Sequence, residues 1–252
     1  MPHAIPHDAS APSEKRLTAA LLAIAMTLPT LMAWLYFEHL GGRQGTANTL
    51  QQAAYTGGKA LQFALPVLWL WLAQGKLWAM RRPRVDGWPI GVGFGLLVAA
   101  AILGLYFGHF RGSSVLADTP TKLRAKLEEF GVDTPAAFAA LAAFMVVAHS
   151  LLEEYYWRWF VFGRLRTLIP FGPAVLLSSL AFMAHHVVIL DVFLPGRLWT
   201  AAVPFSLAVA VGGAVWAWLY ARADSVWSPW LSHALVDAAL FVIGWDMLFR
   251  PS

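Results

Sequence analysis

A chain of 252 residues that is 59% hydrophobic, holds 13 tryptophans and has a mean hydropathy of +0.59 lacks the polar surface needed to coat a water-soluble globule. Its net charge of +4 comes from lysines and arginines dispersed between apolar stretches, which excludes a basic face for nucleic acid. The absence of cysteine excludes disulfides and thiolate chemistry.

The first 16 residues, MPHAIPHDASAPSEKR, are polar and proline-containing and read as a cytosolic tail. Lys15 and Arg16 then precede an apolar run that is longer than a signal-peptide core and has no clear small-residue cleavage site, so it reads as an uncleaved first span. Apolar windows of about 20 residues, the length a helix needs to cross a bilayer, recur near 17–38, 55–75, 87–108, 137–162, 174–190, 199–220 and 227–248. The expected fold is all-α: a polytopic transmembrane bundle of about seven to eight helices, the eighth arising if one window is broken. Gly91, Gly93, Gly95, Pro204, Gly212 and Gly213 fall inside these windows and do not argue against helices, since membrane helices tolerate both residue types and small residues permit close packing. Between the third and fourth windows, TPTKLRAKLEEFGVDTP places Leu123, Leu127 and Phe130 at helical spacing among charges, and reads as an interfacial amphipathic helix near 119–131. The chain thus divides into the tail, N-terminal spans over 17–135 and a C-terminal core over 136–248.

The basic residues set an expected orientation. Lys15 and Arg16, Arg81, Arg82 and Arg84, and Arg164 and Arg166 fall on one side, whereas Arg43, Arg197 and Arg250 stand singly on the other. By the positive-inside rule the N-terminus is cytoplasmic, in a multi-pass protein of the cell (inner) membrane. Trp69, Trp71, Trp78, Trp88, Trp227 and Trp230 lie mostly near window ends and read as an interfacial belt.

Ionisable residues inside a span are costly and point to function. Here they cluster: Glu153, Glu154 and Arg158 in the fourth window, His185 and His186 in the fifth, His233 and Asp237 in the seventh. Residues four apart share a helix face, so Glu154 and Arg158 can neutralise one another while Glu153 points toward the side of His149 and Trp157. His233 and Asp237 share a face in the same way. Phe182 and His186 do so on the fifth span, which fixes His186 in register and leaves His185 to diverge. Counted along helices entering from the cytosol, Glu153 lies about 14 Å deep, His186 about 18 Å and His233 about 9 Å, compatible with one polar cavity.

EEYYWR, FMAHH and HALVD, in that order on successive spans, resemble the Glu-Glu-x-x-x-Arg, Phe-x-x-x-His and His-x-x-x-Asn/Asp signatures of the CPBP family of intramembrane proteases, which includes the type II CAAX prenyl endopeptidases and the Abi-type bacterial proteins. SSLAFMAHH and ARADSVWSPWLSHALVDA add to the likeness, which covers roughly 140–245. The resemblance implies an endopeptidase acting on a membrane-associated protein or peptide within the lipid bilayer. It implies Glu153 as the general base that activates water, His186 as a second holder of that water, His233 and Asp237 as the oxyanion site, and Glu154 with Arg158 as the supporting pair. Two positions depart from the family pattern. Trp159 stands where the family has a small residue, and Asp237 stands where the prenyl endopeptidases have asparagine, so that Asp237 must be protonated, orient His233 or bind a metal.

No cofactor is expected, and no nucleic-acid partner. A divalent ion such as zinc, held by Glu153, His186, His233 and Asp237, is the alternative way to activate the water, although no His-Glu-x-x-His helix is present. Outside proteolysis, the same residues suit a relay in a proton-coupled transporter or survive in a catalytically inactive scaffold or immunity protein.

Overall fold

A computed structural model describes residues 12–39, 46–74 and 87–250, with side chains from 15–39, 51–72 and 87–250. The tail over 1–11, Arg43, Lys76, Trp78, Arg81, Arg82 and Arg84 lie outside the described residues. Among those described the chain forms eight helices and no strand. Helix α1 (Pro12–Trp34) is prolonged by a π-helical turn, Leu35–His39; α2 is Thr46–Gln74; α3 (Trp88–Leu105) ends in a π-helical turn, Tyr106–Phe110; α4 is Thr119–Glu128. Helix α5 runs unbroken over Pro135–Leu168, α6 is Phe171–Phe193, α7 is Leu198–Ala223 and α8 is Trp227–Phe249. Because α1 starts at Pro12, Lys15 and Arg16 belong to its first turns and not to an extended tail.

Six helices, all except α2 and α4, are long and apolar enough to cross a membrane. The window expected at 55–75 lies largely within α2, whose mean hydropathy Lys59 and Gln62 lower. Helix α2 nevertheless runs alongside α5. Phe63 meets His149 and Tyr156 edge-on, Trp69 packs on Phe160, and the Arg164 guanidinium lies 4.4 Å from the Trp69 ring centre.

Burial is inverted relative to a water-soluble protein. Leu72, Trp199 and Val211 are 77%, 78% and 63% exposed, while Glu154 and Arg158 are fully covered. Apolar atoms outward and charges inward is the arrangement that lipid favours. Helix α5 is the centre of the bundle: every residue from Glu153 to Phe162 is buried. Thr134 starts this helix by accepting a hydrogen bond from the Ala137 N–H at 3.1 Å, with Pro135 supplying a first residue that needs no partner for its nitrogen. Two π-helical stretches, Phe144–His149 and Tyr155–Phe162, then bracket the short α-helical piece Ser150–Glu154. Inserted π turns change the register of the side chains that follow them and recur at functional sites.

Close approach fixes α8 against α3. A Cβ on Gly91 would meet the Ser228 carbonyl oxygen at 2.5 Å, and one on Gly95 would lie 2.9 Å from the Ser232 Cα. The Gly87–Gly91–Gly95 stripe therefore faces Ser228 and Ser232, and the Ser228 hydroxyl donates to the Gly87 carbonyl at 2.7 Å. This packing sets the depth of His233, which follows Ser232 directly. Across the opposite end of the bundle, α4 ties three helices together. Thr119 donates to the Phe193 carbonyl, Arg124 donates to the Leu248 carbonyl at 2.7 Å, and Lys126 lies 4.1 Å over the Tyr36 ring while pairing with Glu129.

Candidate active site

The charged residues of α5 meet those of α6 and α8 at the centre of the bundle. Glu154 and Arg158 are one turn apart on α5 and both fully buried; Nε and Oε2 are 2.9 Å apart, and Nη2 donates to Oε1 at 3.1 Å. Rings from two other helices hold the guanidinium in place. Its Cζ lies 4.7 Å from the centre of Phe182 on α6 and 5.3 Å from that of Trp216 on α7. In a low-dielectric interior this face-on aromatic contact replaces part of the hydration that the cation has lost.

The second partner of Glu154 is His233. The imidazole Nδ1 is 2.9 Å from Glu154 Oε1. Since a carboxylate only accepts, Nδ1 carries the proton and donates, which leaves Nε2 to face the site. That nitrogen is 3.8 Å from Glu153 Oε2 and 3.5 Å from Asp237 Oδ1. Trp216 stacks on the same imidazole with ring centres 4.2 Å apart, and its own Nε1–H donates to Ser232 Oγ at 2.9 Å. His233 is therefore fixed by a hydrogen bond on one edge and a ring on one face.

Glu153 is buried and differently placed. Its Oε1 is 3.8 Å from His185 Nε2 and its Oε2 is 3.8 Å from His233 Nε2, both longer than a hydrogen bond. His185 stacks nearly parallel on Trp157, and its Nδ1 is buried with no partner among the described residues. His186 is less buried. Its Nδ1 is 2.9 Å from the Phe182 carbonyl one turn back, and its ring centre is 4.1 Å from that of His185. The structure thus gathers Glu153, Glu154, Arg158, His186, His233 and Asp237 around one centre and adds residues that spacing did not single out.

His185 and Trp216 are the main additions. His185 lies on the inward stripe Ala174, Ser178, Phe182, His185, all buried and spaced four, four and three residues apart. That periodicity was available in the sequence as a signal. Trp216 had no such signal, because a tryptophan in a span reads as packing until its neighbour is known to be a histidine. Asp237, at the rim, retains 18% side-chain exposure. Among the described residues no three or more His, Asp or Glu side chains converge as a ligand set for a metal ion.

Long apolar helices with a buried acid, base and histidine cluster at their centre define an integral, multi-pass membrane protein. Residues 135–239, from the start of α5 to just past Asp237, match the family described as type II CAAX prenyl endopeptidase, Rce1-like. This segment is similar to an Rce1-like domain, and at the family level the chain is similar to a CAAX-type intramembrane protease. The match takes in Glu153, Glu154, Arg158, His185, His186, Trp216, His233 and Asp237. No curated protein and no solved structure matches the chain.

Proposed function

We propose that the protein is a metal-free glutamate endopeptidase that hydrolyses a peptide bond of a membrane-anchored or transmembrane substrate at the level of Glu153. The observation that carries this reading is the division of labour between two adjacent carboxylates. Glu154 is engaged by Arg158 and by His233, whereas Glu153 makes no contact with a histidine shorter than 3.8 Å and keeps both oxygens available.

In the proposed reaction Glu153 takes a proton from a water molecule, and the resulting hydroxide attacks the scissile carbonyl carbon. His185 and His186, side by side on α6, hold the water. As the carbonyl oxygen becomes an oxyanion, His233 donates to it from Nε2, its other nitrogen being held by Glu154. A donor preset at that point is worth about 3 kcal/mol of barrier. Asp237 Oδ1 lies 3.5 Å from the same Nε2, so the aspartate orients His233 and must itself carry a proton where it adjoins the oxyanion. The proton taken by Glu153 passes to the amide nitrogen, the C–N bond breaks, and a carboxylate and a free amine leave.

Purified protein in nanodiscs, offered lipid-anchored and transmembrane peptides, tests this directly. Wild type cleaves; Glu153→Gln loses at least about a thousandfold while keeping its fold, and a chelator has no effect. Cleavage that chelator removes and a divalent ion restores would move the reaction to a metal. Cleavage that survives Glu153→Gln would end the assignment of the base.

A further inference from the structure

Lys59 lies on α2, outside the residues that the family match covers, and the proposed reaction does not use it. It is partly buried in the middle of its helix. Its Nζ is 5.9 Å from the ring centre of Tyr55 and 5.8 Å from that of Phe63, and Phe63 in turn meets His149 edge-on at 6.0 Å. Lys59 therefore stands on the α2 side of the cluster, close enough for its charge to act on Glu153, His149, His185 and His186.

No carboxylate among the described residues lies within 4 Å of the Lys59 ammonium. Glu153, the nearest candidate, turns its two oxygens toward His185 and His233 instead. One turn along the same face of α2, Gln62 is fully buried with neither its amide oxygen nor its amide nitrogen bonded among the described residues. A cation and an amide left unpartnered at one end of a reaction centre are costly unless a ligand completes them. Lys59 is half-buried beside Phe63, which packs on His149 of α5, and this favours a ligand held inside the bundle over a lipid headgroup. The missing anion must arrive with the substrate.

We infer that Lys59 is a specificity-determining residue that receives a carboxylate of the substrate on the α2 side of the scissile bond, the peptide terminus being the simplest source. This rests on the proteolytic reading above. A bound peptide lies with its reacting carbonyl between Glu153 and His233 and its anionic flank at Lys59. Gln62 lies one turn away, where its amide can pair with the backbone of that flank. Substrates with a neutral or cationic group there leave the lysine unpaired and bind less well.

The test uses full-length Glu153→Gln protein in nanodiscs, so that binding is read apart from cleavage. The probes are acyl-anchored hydrophobic peptides, each made as a free carboxylate and as a carboxamide. Carboxylates are expected to bind about tenfold more tightly. Lys59→Met and Lys59→Gln should erase that preference and Lys59→Arg should keep it. A preference regained by amidated peptides bearing an internal glutamate assigns the carboxylate to a side chain and supports the same inference. Absence of any preference, binding of neither form, a preference that survives both neutral variants, or an equal loss for both peptide forms in Lys59→Met would overturn it. A lysine-dependent preference together with no cleavage by the protein bearing Glu153 would sink the protease reading alone.

Discussion

Two carboxylate–arginine pairs in this protein share the same chemistry and differ in everything around it. Glu154 and Arg158 are neighbours on one helix, both wholly buried, with rings from α6 and α7 over the guanidinium and His233 sharing the Oε1 that accepts from Arg158. Asp246 and Arg111, in the turn after α3, are 135 residues apart in sequence and joined at 2.8 and 3.2 Å near the end of α8. Tyr106 donates to the same carboxylate at 2.9 Å, and the Arg111 and Arg250 side chains are 47% and 63% exposed. Asp246 raises the Arg111 pKa further by hydrogen bonding and by charge, so this arginine stays a cation over the whole working range of pH. The inner pair neutralises a charge in a place where water cannot help and aims a histidine. The outer pair clasps the end of α3 to α8 where water can.

The largest effect should follow from breaking the inner pair on one side. Arg158→Met leaves Glu154 buried and unmatched, and is expected to cost about 3–5 kcal/mol, read as a loss of thermal stability in nanodiscs. Glu154→Met combined with Arg158→Met should restore most of that stability without restoring cleavage, because His233 then has no acceptor for Nδ1. If the single change is tolerated as well as the double, the pair is not what makes these charges acceptable.

A smaller effect, on reaction and not on fold, is expected of Glu154→Gln. The amide oxygen can still accept from His233, but the charge that favours a proton on the imidazole is gone. Cleavage should fall by roughly tenfold to a hundredfold, the range typical of residues that orient a reacting group. A loss as large as that of Glu153→Gln would contradict the division of labour between the two glutamates. The smallest effect is expected at the outer pair. Asp246→Asn should lower stability less than Arg158→Met, leave cleavage nearly intact, and lose part of its consequence in high salt, because both arginines reach water although Asp246 itself is buried. A salt-independent loss of activity would make the clasp part of the site.

The sequence by itself determined that this chain lives in a membrane, since its composition cannot coat a soluble globule, and helical spacing alone paired Glu154 with Arg158 and His233 with Asp237. Among the described residues, the position of six helices long and apolar enough to cross a membrane was legible from apolar runs, because a span must be apolar over its whole length. The second window was less so: it reads as a span like the others, and only the packing of Phe63 on His149 shows that α2 brings Lys59 and Gln62 beside the buried cluster. Spacing joined Glu153 to His149 and Trp157 on its own helix but gave no indication that its oxygens stand 3.8 Å from His185 and His233 on two others. Trp216 against His233, and the order in which Glu154 serves both an arginine and a histidine, likewise came from tertiary structure alone. The physical reason is that periodicity fixes directions around a single helix axis, whereas the distances between helices depend on which small residues let them approach. Here Gly91 and Gly95 bring α3 against Ser228 and Ser232 and so set the height at which His233 meets α5.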